Sequence, residues 1–221
     1  MKEILFLVSG NGGTLKFIHQ AIRMLNLNIK IKAVISDREC GAIKFSNNNN
    51  IPTYKIIIKQ NNQVKLQELI EMISPDLVIT NIHKILKPEI INIKGVKFIN
   101  LHYSLLPAYS GIIGMRTIDE AKKDNSMFIG ATIHYVSEKV DDGHILGQCS
   151  TSVDWLNNTA DAYYNIIFQG SCFILLNYII TFSFSEKIEK KVSRFNNLLF
   201  NPSLHFSTSQ FNSYFWNKLK D

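Results

Sequence analysis

Residues 3–15 read "EILFLVSGNGGTL", and their order decides the fold. Ile4 to Val8 form a short apolar run bounded by Ser9 and Gly10, which is how a strand buried on both faces reads. "SGNGG", Ser9 to Gly13, follows at once. Its glycines allow a tight turn and expose backbone N–H groups. From Thr14 to about Leu25 the apolar period changes, with Leu15, Ile18, Ile22 and Leu25 on one helical face. A strand that turns through glycines into a helix is the first half of a parallel crossover unit.

The chain then repeats that alternation. "IKIKAVIS" reads as a second strand, followed by a helix around Ala42–Asn48 that ends in the asparagines at 47–50 before Pro52. "TYKIII" is a third strand. Val64–Ile73 is a helix with Leu66, Leu69, Ile70 and Ile73 on its apolar stripe. "PDLVIT" and "VKFINLH" are the fourth and fifth strands. Strands alternating with helices predict an α/β fold, a doubly wound, mostly parallel sheet with right-handed crossovers. Beyond it lie a helix near Arg116–Lys123, a strand "FIGATIHYV", another near Gly147–Val153, and a long helix from about Thr159.

"CFILLNYIITF", from Cys172, is the most apolar run. As a run it is shorter than the roughly 18–20 residues that span a bilayer and it contains Asn177, so it reads as a core helix with no membrane partner. The expected division is one domain over 1–185 and a C-terminal extension over 186–221. That extension reads as aromatic and irregular with a helical segment, packing on the domain or on a partner.

Hydrophobic residues at 46% with 19% charged describe a globular chain. Cys40, Cys149 and Cys172 are far apart and odd in number. They show neither a disulfide framework nor zinc-ligand spacing, which points to a reducing, cytoplasmic compartment and to no metal. No signal peptide is legible in "MKEILFLVSG". The formal net charge of +6 suits anionic partners. The lysines are scattered, with no arginine-rich arm and no stacking motif, so a phosphorylated small molecule is expected rather than nucleic acid.

Open parallel sheets bind ligands at the carboxyl ends of their strands. Three polar clusters fall there. "SGNGG" is either a plain tight turn or, with the helix start behind it, a phosphate cradle. It lacks the dinucleotide glycine spacing and the P-loop lysine. Asn100 and His102 are two residues apart on a strand and so face one side. A satisfied core histidine is one reading. The other is a pair of donors for a developing oxyanion. "VDDGH", Val140 to His144, is either only a turn or a carboxylate facing a histidine.

"VSGNGGTL", "NLHYSLLPAYSG" and "GATIHYVSEKVDDGHILGQ" resemble the 10-formyltetrahydrofolate-dependent formyltransferase family, closest to its phosphoribosylglycinamide formyltransferase branch. "PDLVITNIHKILKPEII" resembles the family's stretch after the fourth strand. The likeness covers roughly residues 3–155 in matching order. It implies a Rossmann-like formyltransferase fold over the domain 1–185 and a catalytic trio of Asn100, His102 and Asp141. The implied activity is transfer of a formyl group from 10-formyltetrahydrofolate to the primary amine of a phosphorylated small molecule, glycinamide ribonucleotide in purine biosynthesis. The implied folate site is His83, Lys84, Ile85 and Leu86, with Asn100 and backbone near Val140. Gly12, Gly13, Thr14, Leu15 and Lys16 would hold the amine's phosphate. A homodimer stays open.

The sequence departs from the branch on the amine side. Tyr103 replaces a proline after the histidine, and Gly13-Thr14 replaces Ser-Asn. Asn81-Ile82-His83-Lys84 replaces Gly-Phe-Met-Arg, and Ile113 and Met115 stand where histidines are usual. The amino group of a nucleotide-linked sugar therefore remains an alternative acceptor. A catalytically degenerate folate- or phosphate-binding protein remains an alternative class.

Overall fold

The computed structural model describes residues 1–59, 62–184 and 191–219. The chain forms two compact units. The first holds Met1–Asn100 and Tyr135–Gly143, the second Leu101–His134 and the residues from His144 on.

In the first unit, β1 (Lys2–Val8), α1 (Gly13–Met24), β2 (Ile29–Ser36), α2 (Gly41–Asn48) and β3 (Thr53–Lys55) alternate. They are followed by α3 (Val64–Ile73), β4 (Leu77–Asn81), α4 (Pro88–Ile91) and the start of β5 (Lys97–His102). Every pairing here is parallel, in the order β3-β2-β1-β4-β5. The chain winds outward from β1 to β3, then returns to β4 on the other side of β1. That reversal puts a topological switch point at the ends of β1 and β4, where such sheets bind ligands.

β1 explains why both faces need cover. Ile4, Leu5, Phe6 and Leu7 are fully buried. Leu5 and Leu7 share a cluster with Leu66, Ile70 and Ile73 of α3 and Ile90 of α4. Ile4, Phe6 and Val8 point the other way, toward the face of α1 and α2, so the sheet is doubly wound as expected. The third strand is shorter than "TYKIII" suggests. It ends at Lys55; Ile58 is buried in the core and Ile56 packs against it, while Ile57 stays exposed.

The second unit is antiparallel. β6 (Phe128–Tyr135) pairs with β7 (Ile145–Ser152), β7 with β9 (Leu198–Asn201), and β9 with β8 (Ser193–Phe195). α5 (Arg116–Lys123), α6 (Asp161–Phe184), a 3₁₀ turn (Thr208–Gln210) and α7 (Ser213–Asn217) complete it. α6 as a whole does reach membrane-spanning length and apolarity, over Asp161–Phe182, although its most apolar run alone does not. That stretch is 72% buried inside the chain, which makes it a core helix.

The proposed 185/186 boundary lies outside the described residues. The segment beyond it is more regular than its sequence suggests. "SRFNNLLFN" forms the β8–β9 hairpin, with Asn196 at φ 52° in the turn. The rings of Phe195, Phe200, Phe206, Phe211 and Trp216 surround Phe173 of α6. Those edge and tilted contacts fasten the extension to the core helix.

Candidate active site

At the switch point, the Ser9 N–H donates to the Asn81 carbonyl (3.1 Å), so β1 and β4 end together. The loop then turns at Gly12, with φ 72°. A Cβ there would lie 2.8 Å from the Ala42 Cβ, so glycine is required both for the turn and for α1 to approach α2. α1 has no side-chain cap and no acidic residue in its first turn. Its first N–H groups and the positive end of its dipole are thus offered to an anion.

The residues expected at the phosphate differ in what they can offer. Lys16 N–H is taken by the Gly12 carbonyl (2.8 Å), and its amine lies 5.9 Å from the Phe45 ring centre on α2. Thr14 is buried and its hydroxyl accepts from Asn81 Nδ2 (2.7 Å). Leu15 is fully buried, so it can contribute only backbone. Gly13 opens the helix and likewise has only backbone to offer. The buried Ser9 Oγ makes no hydrogen bond of ordinary geometry. The neighbouring Asp37 carboxyl is held below the usual range, chiefly by the hydrogen bond from Arg38, with Ser9 a smaller influence.

After β4, His83, Lys84 and Ile85 are exposed, while Leu86 is buried in the core. Gln63, at the start of α3, ties this loop down from within. It is only 4% exposed. Its Nε2 donates to the Ile85 carbonyl (2.8 Å) and its Oε1 accepts from Lys87 N–H (3.1 Å).

Asn100 and Asp141 are 41 residues apart in sequence and are brought together. Asn100 Nδ2 donates to Asp141 Oδ1 at 3.5 Å, the long end of a hydrogen bond. The hydroxyl of Thr80, Asn100's direct partner across the β4–β5 pairing, lies 2.9 Å from the Ile99 carbonyl and 3.2 Å from Asn100 Oδ1. The amide is therefore oriented from both ends, oxygen toward Thr80 and nitrogen toward Asp141. Asp141 sits in the left-handed region (φ 53°), after a half-exposed Val140. Val136 N–H anchors the same segment to the Phe98 carbonyl (2.9 Å). Asp142 is exposed and lies 3.8 Å from Lys139 Nζ, which separates it from Asp141 in role.

In the second unit, His102 is 6% exposed, and its Nε2 is 3.1 Å from the Tyr109 carbonyl. Tyr103 is fixed at its carbonyl by the Thr117 hydroxyl. Burial pushes its phenol far above the usual range, which removes it as a proton donor near neutrality. Ile113 is exposed, and Met115 caps α5 without a side-chain hydrogen bond. Burial also pushes the Cys149 thiol up to about 12 and Cys172 well above its ordinary value, so neither supplies a thiolate nucleophile near neutral pH.

Gln63 and Thr80 were invisible as site residues in the sequence. Gln63 looks like part of a polar turn, and Thr80 like any strand threonine. What the geometry offers is an aimed amide donor beside a carboxylate, a buried imidazole with a fixed nitrogen, and a glycine turn under a helix N-terminus. Within the first unit, the aimed amide beside a carboxylate and the glycine turn under a helix N-terminus suit stabilising a developing oxyanion and holding an anionic molecule; the fixed imidazole belongs to the second unit.

The formyl transferase family profile matches residues 2–174. A phosphoribosylglycinamide formyltransferase of Haemophilus influenzae is 31% identical over 160 residues, covering 69% of this chain and 74% of its own length. A chloroplastic phosphoribosylglycinamide formyltransferase of Vigna unguiculata is 29% identical over 170 residues, and the chain spans only 54% of its length. A formyltetrahydrofolate deformylase of Bacillus subtilis is 33% identical over 148 residues, 64% of this chain and 47% of its own length. Among solved structures, the phosphoribosylglycinamide formyltransferase of Coxiella burnetii superposes with a TM-score of 0.76 at 26% identity, over 91% of this chain and 93% of that one. With its doubly wound sheet, its oriented Asn100 amide and a family match over most of its length, the chain belongs to the formyl transferase family.

Proposed function

We propose that this chain transfers a formyl group from 10-formyltetrahydrofolate to the primary amine of a phosphorylated small molecule, with glycinamide ribonucleotide as the acceptor. The observation that carries this is the Asn100 amide, held with its oxygen toward Thr80 and its Nδ2 donor toward Asp141. The names of the Haemophilus and Coxiella relatives support the acceptor.

The residues present fit a folate donor. The loop His83–Leu86 has its backbone held by Gln63, which gives a flat pterin a fixed edge to bind, with Val140 backbone and Asn100 completing the contacts. When bound, the folate supplies an activated formyl carbon. Asn100 and protonated His102 then donate to the formyl oxygen as it gains negative charge. Asp141 would favour the charged imidazole and, through water, help move the amine's proton to N10 of the folate as the new N–C bond forms and the folate N10–C bond breaks, releasing tetrahydrofolate. Backbone N–H groups of the turn Gly12 to Leu15, with the Lys16 side chain beside them, hold the acceptor's phosphate.

In this reading residues 1–185 are the catalytic domain and 186–221 an extension fastened to it. The enzyme is cytoplasmic, acts without nucleic acid, membrane or metal, and is compatible with a homodimer. A second reading follows from the Bacillus relative, named a formyltetrahydrofolate deformylase: this chain would then pass the formyl group to water instead of an amine.

Folate absorbance followed with glycinamide ribonucleotide, several nucleotide-linked amino sugars, and no amine tests the proposal. The expected result is turnover with the ribonucleotide at least tenfold above the others, about 1.4 kcal/mol of discrimination. Equal turnover without amine favours the deformylase reading. A preference for an amino sugar replaces the acceptor. No turnover with any leaves a binding protein.

A further inference from the structure

The turn after β5 is built around one nitrogen of His102. Nε2 lies 3.1 Å from the Tyr109 carbonyl. Tyr109 occupies the left-handed region at φ 58°, which bulky residues seldom enter. Its phenol is tethered at the far end, 3.1 Å from Asp124 Oδ2 and 2.7 Å from Ser126 Oγ. A residue stays in such a backbone state when its surroundings over-determine it. Here the tether holds the ring and the left-handed backbone aims the carbonyl.

We infer that Tyr109 is a positioning residue that fixes the tautomer and ring orientation of His102. Its carbonyl keeps a proton on Nε2, and the proton of the reaction is exchanged at Nδ1. The inference rests on the proposed catalytic role of His102. A carbonyl only accepts, so Nε2 must carry hydrogen in this arrangement, whether the ring is neutral or charged. Only Nδ1 is then left to change its protonation state. The charged ring donates at Nδ1, and the neutral ring can take a proton back there without rotating. Tyr109 touches no reacting atom and acts through the imidazole alone.

Two substitutions separate backbone aim from bulk. Tyr109→Val disfavours the left-handed region, whereas Tyr109→Asn tolerates it without the ring. The expected result is a fall in kcat of about tenfold for Tyr109→Val, with both KM values within about twofold, and recovery to within about threefold of wild type in Tyr109→Asn. Equal losses in the two variants would overturn the inference. The second readout is the side-chain ¹⁵N spectrum of His102 at alkaline pH, assigned by its disappearance in His102→Asn. Wild type and Tyr109→Asn should show a single Nε2–H tautomer. An Nδ1–H ring in the wild type would overturn the inference even if Tyr109→Val fails to fold. Full turnover in His102→Asn would instead remove the catalytic reading, and the tautomer result would still stand or fall by itself.

Discussion

Asn100 and His102 sit two residues apart on β5, yet they are held by different means. Asn100 is oriented by side chains, Thr80 from the neighbouring strand and Asp141 from a distant turn. His102 is oriented by a backbone carbonyl a few residues further on. The difference teaches how each can be detuned. A side-chain clamp is loosened by an isosteric change that leaves the backbone in place, while a backbone clamp is loosened only by altering the conformation of the chain.

The largest effects should come from deleting the clamped groups themselves. Asn100→Ala and His102→Asn should each lower turnover on the order of a hundredfold or more while the proteins remain folded. Steady-state kinetics on both variants check this. A loss within threefold in either would remove that residue from the chemistry and end the comparison.

A milder change tests the side-chain clamp alone. Thr80→Val keeps the shape and removes the hydroxyl between Ile99 and Asn100. It should lower kcat about tenfold with little change in KM, because the donor is present but no longer aimed. The His102 ¹⁵N spectrum should not move. An unchanged kcat would mean that Asp141 orients the amide unaided.

Gln63 extends the comparison to a loop. Gln63→Leu removes both hydrogen bonds to the 85–87 backbone. It should cost about 1 kcal/mol in stability, the usual net worth of such partly exposed hydrogen bonds. Folate KM should rise severalfold with kcat nearly constant. A fall in kcat with constant KM would place the loop in the chemistry rather than in binding.

The smallest effect belongs to Asp37, a carboxylate paired with its own neighbour. Its folded pKa is depressed, first by Arg38. The pair therefore stabilises the fold above the ordinary carboxylate pKa, and that contribution is lost as pH falls through the depressed value. Thermal melts of Asp37→Asn should fall below wild type at neutral pH and converge with it in strong acid. A constant gap at all pH would trace the effect to packing.

Much of this architecture was legible in local patterns. β1, the glycine turn and α1 declare themselves in residues 3–25, because apolar period and glycine position are local quantities. The β8–β9 hairpin was not read from the sequence, because its strands are short and the extension reads as irregular. Gln63 and Thr80 were not legible. Each acts through a contact about 20 residues away, and neither residue type is unusual at its position. The approach of Asp141 to Asn100 was carried by family resemblance alone, since nothing local states which residue a turn will face.

The central claim is that a formyl group passes to an amine through the Asn100 donor. The most direct measurement supplies ¹³C-formyl-labelled 10-formyltetrahydrofolate with glycinamide ribonucleotide and follows the label by NMR. The account predicts a formamide signal on the ribonucleotide from the wild-type protein, at least a hundredfold slower from Asn100→Ala. Label appearing only as free formate, or a formamide formed equally fast by both proteins, would contradict it.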